Sequence, residues 1–257
     1  AVILGNSMGG ESSDDHTIRT RLPEIVNQLS TGETFTALDQ KTQEALLADL
    51  EHSKDHLPII NEDTMPGELA NVIAGRVANA FDFNGPNYTV DAACASSMAA
   101  IQMAVKGLRD GEFDMAVTGG SDRSMGVPTY VKFSKIGALS ADISAPFDER
   151  ANGFVMGEGS AILILKRLSD AERDGDRIYS TIRSVGSSSD GKGKGITAPN
   201  PKGQTLALQR AYKSSNIDIN SVDYFECHGT STQVGDKVEA TVLSNELDIQ
   251  ESKPRLE

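Results

Sequence analysis

The apolar positions along this chain follow two periods, and each change of period marks an element. Val2 to Leu4 is a continuous apolar run that leaves into Gly5-Asn6-Ser7-Met8-Gly9-Gly10, the pattern of a strand followed by a glycine-rich turn. From Glu11 to about Asp63 polar residues dominate, with a helical pattern only around Ala45, Leu46 and Leu50, so the stretch reads as a surface excursion. Leu69, Val72, Ile73 and Val77 then recur at helical spacing, and Phe81 to Pro86 turns the chain. Tyr88 to Ala93 reads as a buried strand, and Met98, Ile101, Val105 and Leu108 as the apolar face of the helix after it. Asp110-Gly111 stops that helix, and Asp114 to Thr118 is a further strand before Gly119-Gly120.

Beyond that point Pro128 to Ala145 has neither period, and Ser160 to Leu165 is a continuous apolar strand. Ser169 and Glu172 are spaced as a capping box for a short helix ending near Gly175. Ile178 to Val185 predicts a strand, Gln204 to Ser215 a helix, and Val222 to Cys227 a strand. Alternating strands and helices, with strands apolar nearly throughout, predict an α/β fold whose sheet is covered on both faces.

Composition narrows the classes. The 257 residues carry 38% hydrophobic and 24% charged positions, ordinary for a globular chain of one large or two small domains. A net charge of −13 argues against a nucleic acid or an anionic membrane as partner, since both require clustered Lys and Arg. Two cysteines, Cys94 and Cys227, fit free thiols in a reducing compartment, with a single disulfide as the alternative, and no apolar run has the length of a membrane span, so the cytoplasm is expected. The chain opens inside a strand without an initiator methionine and closes on the polar tail Glu251 to Glu257, which reads as an excised piece.

Several stretches invite a chemical reading. Cys94 falls at the strand-to-helix turn, where the positive end of a helix dipole stabilises a thiolate and makes it a nucleophile; a cysteine that merely packs is the alternative. Gly186 to Lys192, GSSSDGK, imitates a phosphate-binding loop, but Gly193 replaces the required Ser or Thr and KGITAPNP cannot open a helix. Gly119-Gly120-Ser121 fails as a nucleophile elbow because Arg123 takes the last glycine position. His16, His52 and His56 lie in the polar excursion and read as solvated, whereas His228 sits at the end of an expected strand, where α/β sheets gather ligand-handling groups. Asp236 and Glu239 then read as a capping box for the next helix, a structural role, and Cys227 as packed.

Three stretches together resemble one family. Asp91-Ala92-Ala93-Cys94-Ala95-Ser96-Ser97, the run from Pro146-Phe147-Asp148 to Gly157-Glu158-Gly159, and HGTST at 228 to 232 followed by GDKVE are similar to the β-ketoacyl synthase family of condensing enzymes. The likeness is greatest to the ketosynthase domains of polyketide and multidomain fatty acid synthases, as the KGKGITAPNPKGQ loop suggests. It implies a thiolase-like, layered αβαβα fold, of which 1–257 would be one ketosynthase domain fragment. About 1–215 would be most of the N-terminal half, and about 216–257 the start of the C-terminal half.

The resemblance also implies chemistry. Cys94 would take an acyl group from the phosphopantetheine thioester of an acyl carrier protein, with its backbone N–H as one oxyanion-hole donor. A malonyl thioester would then be decarboxylated and condensed, with His228 polarising the thioester oxygen and Thr230 and Thr232 contacting pantetheine. No cofactor or metal bound by the domain itself is implied, but a homodimer through the strand Tyr88 to Ala93 is. The family's second histidine, its lysine and its glycine-rich loop do not occur before Glu257, so the piece alone is expected to be inactive. Asn152 and Ser231 stand where many members carry aspartate and glycine. The alternative is a non-catalytic, chain-length-factor type partner, which keeps the fold and loses the nucleophile; Cys94 argues against it.

Overall fold

Strand β1 (Val2–Gly5) is buried along its whole length, and the sheet extends from both of its edges. The fold is seen in a computed structural model that describes residues 1–8, 11–123, 125–193, 195 and 197–247. Of the features expected from sequence, Gly9 and Gly10 of the glycine turn, Lys194 and Ile196 of the KGITAPNP loop, and the tail Glu251 to Glu257 lie outside these residues. In chain order β1 is followed by α1 (Glu11–Ser30), α2 (Glu33–Thr36), α3 (Gln40–Ser53), α4 (Thr64–Glu68), α5 (Ala70–Ala80) and β2 (Asn87–Val90). Next come α6 (Ser96–Asp110), β3 (Met115–Asp122), α7 (Val127–Lys135), β4 (Gly159–Lys166), α8 (Leu168–Asp174), α9 (Pro201–Ser215) and α10 (Gln233–Glu246). The chain divides into two units: Ala1–Ala100 with Val117–Pro128 and Glu158–Leu163, and Ile101–Ala116 with Thr129–Gly157 and the residues from Ile164 onward.

In the first unit the strand order is β2-β1-β3-β4. β1 pairs in parallel with both neighbours, Val2 opposite Asn87 on one side and Val117 on the other. Parallel neighbours require crossover connections, which the helical segments between the strands supply, and the α/β expectation is met. Val2, Leu4, Ala74 and Ala78 form a buried cluster against which Ile73, Val77 and Val117 pack. Helix α5 therefore lies on β1 through its alanines with only Ile73 and Val77 of the expected face beside them, and Leu69 precedes the helix and is exposed. Gly5 ends β1 directly beneath the start of α6: a Cβ there would collide with the backbone of Ser96 and Ser97. Only glycine admits this approach, which sets the first turn of α6 onto the end of the central strand.

In the second unit Arg167 ties separate segments together. Its guanidinium donates to the carbonyls of Leu108 and Phe113, each at 3.0 Å, and to Asp170 at 2.6 Å, and it pairs with Asp114. A planar donor fork suits such divergent acceptors. The loop before α9 is held to that helix: Ser184 Oγ donates to Ala211 O at 2.6 Å, and Gly186 lies against Ala207 and Ala211.

Several expectations are corrected. β2 stops at Val90 and is a half-exposed edge strand, because Asp91 and Ser96 bond the backbone locally and draw residues 91–95 into a turn. Along α6 the buried stripe is Ala100, Ala104 and Leu108, whereas Met98 is exposed. Helix α7 occupies part of the stretch expected to be irregular; its proline, Pro128, sits in the first turn, where a missing N–H costs nothing. Residues 178–185 and 222–227 form no strand: an apolar run becomes a strand only where a ladder partner meets it, and the first of them lies beside α9 instead. The Ser169-Glu172 capping box does not form, since α8 begins after Arg167 and no side chain caps it.

Candidate active site

Cys94 belongs to the first unit, in the turn between β2 and α6, just past the C-terminal edge of the parallel sheet. Its turn is built by its neighbours. Asp91 Oδ1 accepts the Ala93 amide at 2.9 Å; Ser96 Oγ accepts the Ala92 amide at 2.9 Å and donates to the Ala93 carbonyl at 2.6 Å. Ala93, immediately before the cysteine, has φ 50°, a left-handed conformation that a β-carbon makes costly. This arrangement projects the thiol outward: Cys94 is exposed. Residues in sparsely populated backbone conformations that a surrounding network over-determines cluster at functional sites.

The other sequence-derived residues, His228, Thr230, Thr232, Asp236 and Glu239, all belong to the second unit. Helix α10 is capped by Thr232, whose Oγ1 accepts the Gly235 amide at 3.2 Å and shares a 2.9 Å hydrogen bond with Thr230 Oγ1. Asp236 and Glu239 therefore do not form the expected capping box. Glu239 instead turns back to the histidine segment, its Oε1 accepting the His228 amide and its Oε2 the Gly229 amide. Asp236 is buried, and its Oδ2 accepts the Phe147 amide at 2.7 Å. Ser231 is fully buried with φ 58°; its Oγ accepts the Ala145 amide at 2.8 Å and its carbonyl accepts the Gly153 amide at 2.7 Å. Four side chains of the HGTST-GDKVE segment, Ser231, Thr232, Asp236 and Glu239, thus hold five backbone amides, and those of Ser231 and Asp236 fasten the segment to residues 145–147.

Neither cysteine is in a disulfide, and their surroundings differ. Burial pushes the Cys227 thiol up, and the carboxylates of Glu239 and Glu226 add to the rise, so Cys227 keeps its proton and suits the packed role expected of it. Ser231 and Phe147 were not marked by the sequence as site-building residues. The signal available was Ser231 in a place where glycine is common, which is what a φ of 58° leads one to expect. No group of three or more His, Cys, Asp or Glu that could hold a metal occurs among the described residues.

Comparison with known proteins matches residues 22–171 to the family model described as β-ketoacyl synthase, N-terminal domain, and residues 179–255 to the one described as β-ketoacyl synthase, C-terminal domain. The chain is 41% identical over 247 residues to a polyunsaturated fatty acid synthase polypeptide of Thraustochytrium sp., covering 96% of this chain and 8% of that protein. It is 39% identical over 182 residues to a phenolphthiocerol/phthiocerol polyketide synthase polypeptide of Mycobacterium tuberculosis, covering 70% of this chain and 10% of that one. Among solved structures, the ketosynthase from module 6 of the bacillaene synthase of Bacillus subtilis 168 superposes with a TM-score of 0.68 at 36% identity, over 75% of this chain and 36% of the other. An oxazolomycin ketosynthase domain of Streptomyces albus JA3453 gives 0.72 at 30% identity, over 95% and 37%. The expected thiolase-like α/β fold agrees with these neighbours, and the chain spans a small fraction of its curated relatives and just over a third of the ketosynthase structures.

Proposed function

The chain belongs to the β-ketoacyl synthase family, and we propose that it supplies the nucleophile and one catalytic histidine of a β-ketoacyl-[acyl-carrier-protein] synthase in polyketide or fatty acid biosynthesis. The Cys94 thiolate attacks the carbonyl of an acyl thioester carried on the phosphopantetheine arm of an acyl carrier protein. The bond from carbonyl to arm breaks, the arm leaves as a thiolate that takes up the proton Cys94 gave up, and the acyl group remains on Sγ. A carrier-bound malonyl thioester then loses its terminal carboxyl as CO2. The electron pair of the broken C–C bond becomes an enolate, which attacks the acyl carbon, expels the cysteine thiolate and leaves a β-ketoacyl chain two carbons longer on the carrier. His228 donates a hydrogen bond to the thioester oxygen as negative charge develops there, the kind of electrostatic help that dominates such barriers. Thr230 and Thr232 meet the pantetheine arm.

No cofactor bound by the domain itself enters this reading; phosphopantetheine arrives as part of the carrier. The half-exposed outer edge of β2 supports a homodimer formed through that strand. No helix among the described residues is long and apolar enough to cross a membrane. A cytoplasmic location is part of the proposal and is supported by the two cysteines standing outside any disulfide, as in a reducing compartment.

The observation that carries the reading is Cys94 itself, an exposed thiol in the strained turn between a parallel strand and a helix. A non-catalytic partner of the chain-length type would lack that thiol. The test is intact mass after incubation of the full-length protein with an acyl thioester. One acyl group is added to the wild type and none to Cys94→Ala; an alanine variant that still labels overturns the assignment.

A further inference from the structure

Pro146 and Phe147 occupy the middle of a turn closed by a hydrogen bond from the Asp148 amide to the Ala145 carbonyl, 3.3 Å. Proline suits the second position of such a turn. The third, where φ is positive, is where glycine normally sits. Here it holds a phenylalanine at φ 60°. The conformation is kept by Asp236, 5% exposed, whose Oδ2 accepts the Phe147 amide at 2.7 Å while its Oδ1 has no hydrogen-bond partner among the described residues. A buried carboxylate and a strained backbone are both costly, and the residue they hold, Phe147, remains 49% exposed. The ring lies instead beside Gly229, the residue after His228: a Cβ on Gly229 would meet Phe147 Cε2 at 3.4 Å and Pro146 Cβ at 3.3 Å. The turn therefore holds an apolar face, open to solvent, against the histidine loop.

We infer that Phe147 is a substrate-facing residue, set in place by Asp236, against which the thioester arm of the incoming carrier-bound malonyl group packs when it reaches His228. The inference rests on the condensing function proposed for this site. Malonyl thioester carries an apolar thioester stem and a charged carboxylate, and a fixed ring beside the histidine orders the stem and keeps water from it. The acyl group for Cys94 also arrives on a pantetheine arm, but it is then held covalently on Sγ. Malonyl has no such covalent hold while it loses CO2, so the ring matters more for the second half-reaction. Asp236 is a positioning residue, since it acts through the Phe147 backbone.

The experiment uses the full-length protein and separates two half-reactions: acylation of Cys94, followed by intact mass, and decarboxylation of malonyl-carrier, followed by CO2 release. Phe147→Gly removes the ring and also relieves the turn. It is expected to keep the thermal midpoint of the wild type or raise it, to acylate Cys94 within about twofold of wild type, and to raise the KM for malonyl-carrier roughly tenfold or more. Phe147→Tyr, which keeps an aromatic face, is expected to stay within about twofold on both, and Asp236→Asn to shift KM in the same direction as glycine. Wild-type decarboxylation kinetics in Phe147→Gly overturn the inference. So does a parallel loss of Cys94 acylation, or a fall in thermal midpoint, which would give the ring a packing role. A wild type that acylates but never decarboxylates malonyl-carrier overturns the condensing function on which the inference stands.

Discussion

Glu239 holds His228 by the backbone: its Oε1 accepts the His228 amide at 2.7 Å, and its Oε2 accepts the next amide, that of Gly229, at 2.9 Å. One carboxylate from the body of α10 thus restrains two consecutive peptide units from which the imidazole is displayed. Hydrogen bonds to an ionised acceptor are the stronger kind, and a glutamine cannot replace this one, because its NH2 would face a donor. Glu239→Gln is expected to lower the unfolding free energy by about 1–3 kcal/mol, measured by chemical denaturation. In the full-length protein it is also expected to slow malonyl decarboxylation while leaving Cys94 acylation near wild type. A glutamine variant of unchanged stability would mean that the amides are equally content without the carboxylate.

Ser231 has two opposing consequences in one side chain. Its Oγ satisfies the buried Ala145 amide, yet its β-carbon stands at φ 58°, a conformation that costs on the order of 1 kcal/mol in a non-glycine residue. Ser231→Ala keeps that cost and strands the donor, a loss of about 1–3 kcal/mol. Ser231→Gly strands the donor too but recovers the backbone cost, so it is expected to be the less destabilised of the pair. The order of the two urea midpoints checks this, and alanine equal to or above glycine would contradict the account.

Asp148 provides a pH marker inside the PFDERANGF segment. The Arg150 guanidinium and backbone amide both donate to its carboxylate and hold its pKa down at about 2, below the ordinary value of 3.8. A carboxylate depressed in the folded state adds stability above its unfolded pKa, and that contribution is lost as pH falls from near 4 toward 2. The pair is exposed, so its share of stability is small and screened by salt. Carboxyl-detected NMR titration is expected to place Asp148 near 2 and to find it raised toward the ordinary value in Arg150→Gln. An unmoved midpoint would mean that Arg150 is not the cause.

Much of this was legible from residue types alone, and the failures share a cause. The helices at 70–80, 96–110 and 201–215 show in their periodicity, and β1 in its apolar run, although the face that α6 buries, Ala100, Ala104 and Leu108, is not the one its larger apolar residues marked. Residues 178–185 and 222–227 have the same apolar look without the ladder, and a run of side chains does not say whether another strand will come alongside. Cys94 and His228 stand out by motif, whereas what Asp236 does depends on an amide 89 residues away along the chain. Positive φ is announced by glycine and hidden by most other residues, so Phe147 gave no outward sign of the conformation it adopts, and Ser231 gave one only by standing where many members of the family carry glycine.

The placement of β1 also bears on how the chain acquires its shape. Val2 and Ile3 have no exposed surface, but their ladder partners are Asn87 and Tyr88 on one side and Val117 and Thr118 on the other. The segment that ends up innermost is therefore synthesised long before either neighbour exists. At ordinary translation rates of about 5–20 residues per second, it waits roughly 5–25 seconds before both edges can close. Pairings this distant in sequence are slow to form, and an apolar strand with two open edges is what chaperones bind and what misassembles without them. Helices α5 and α6, whose own contacts are local, are the elements able to form during that wait.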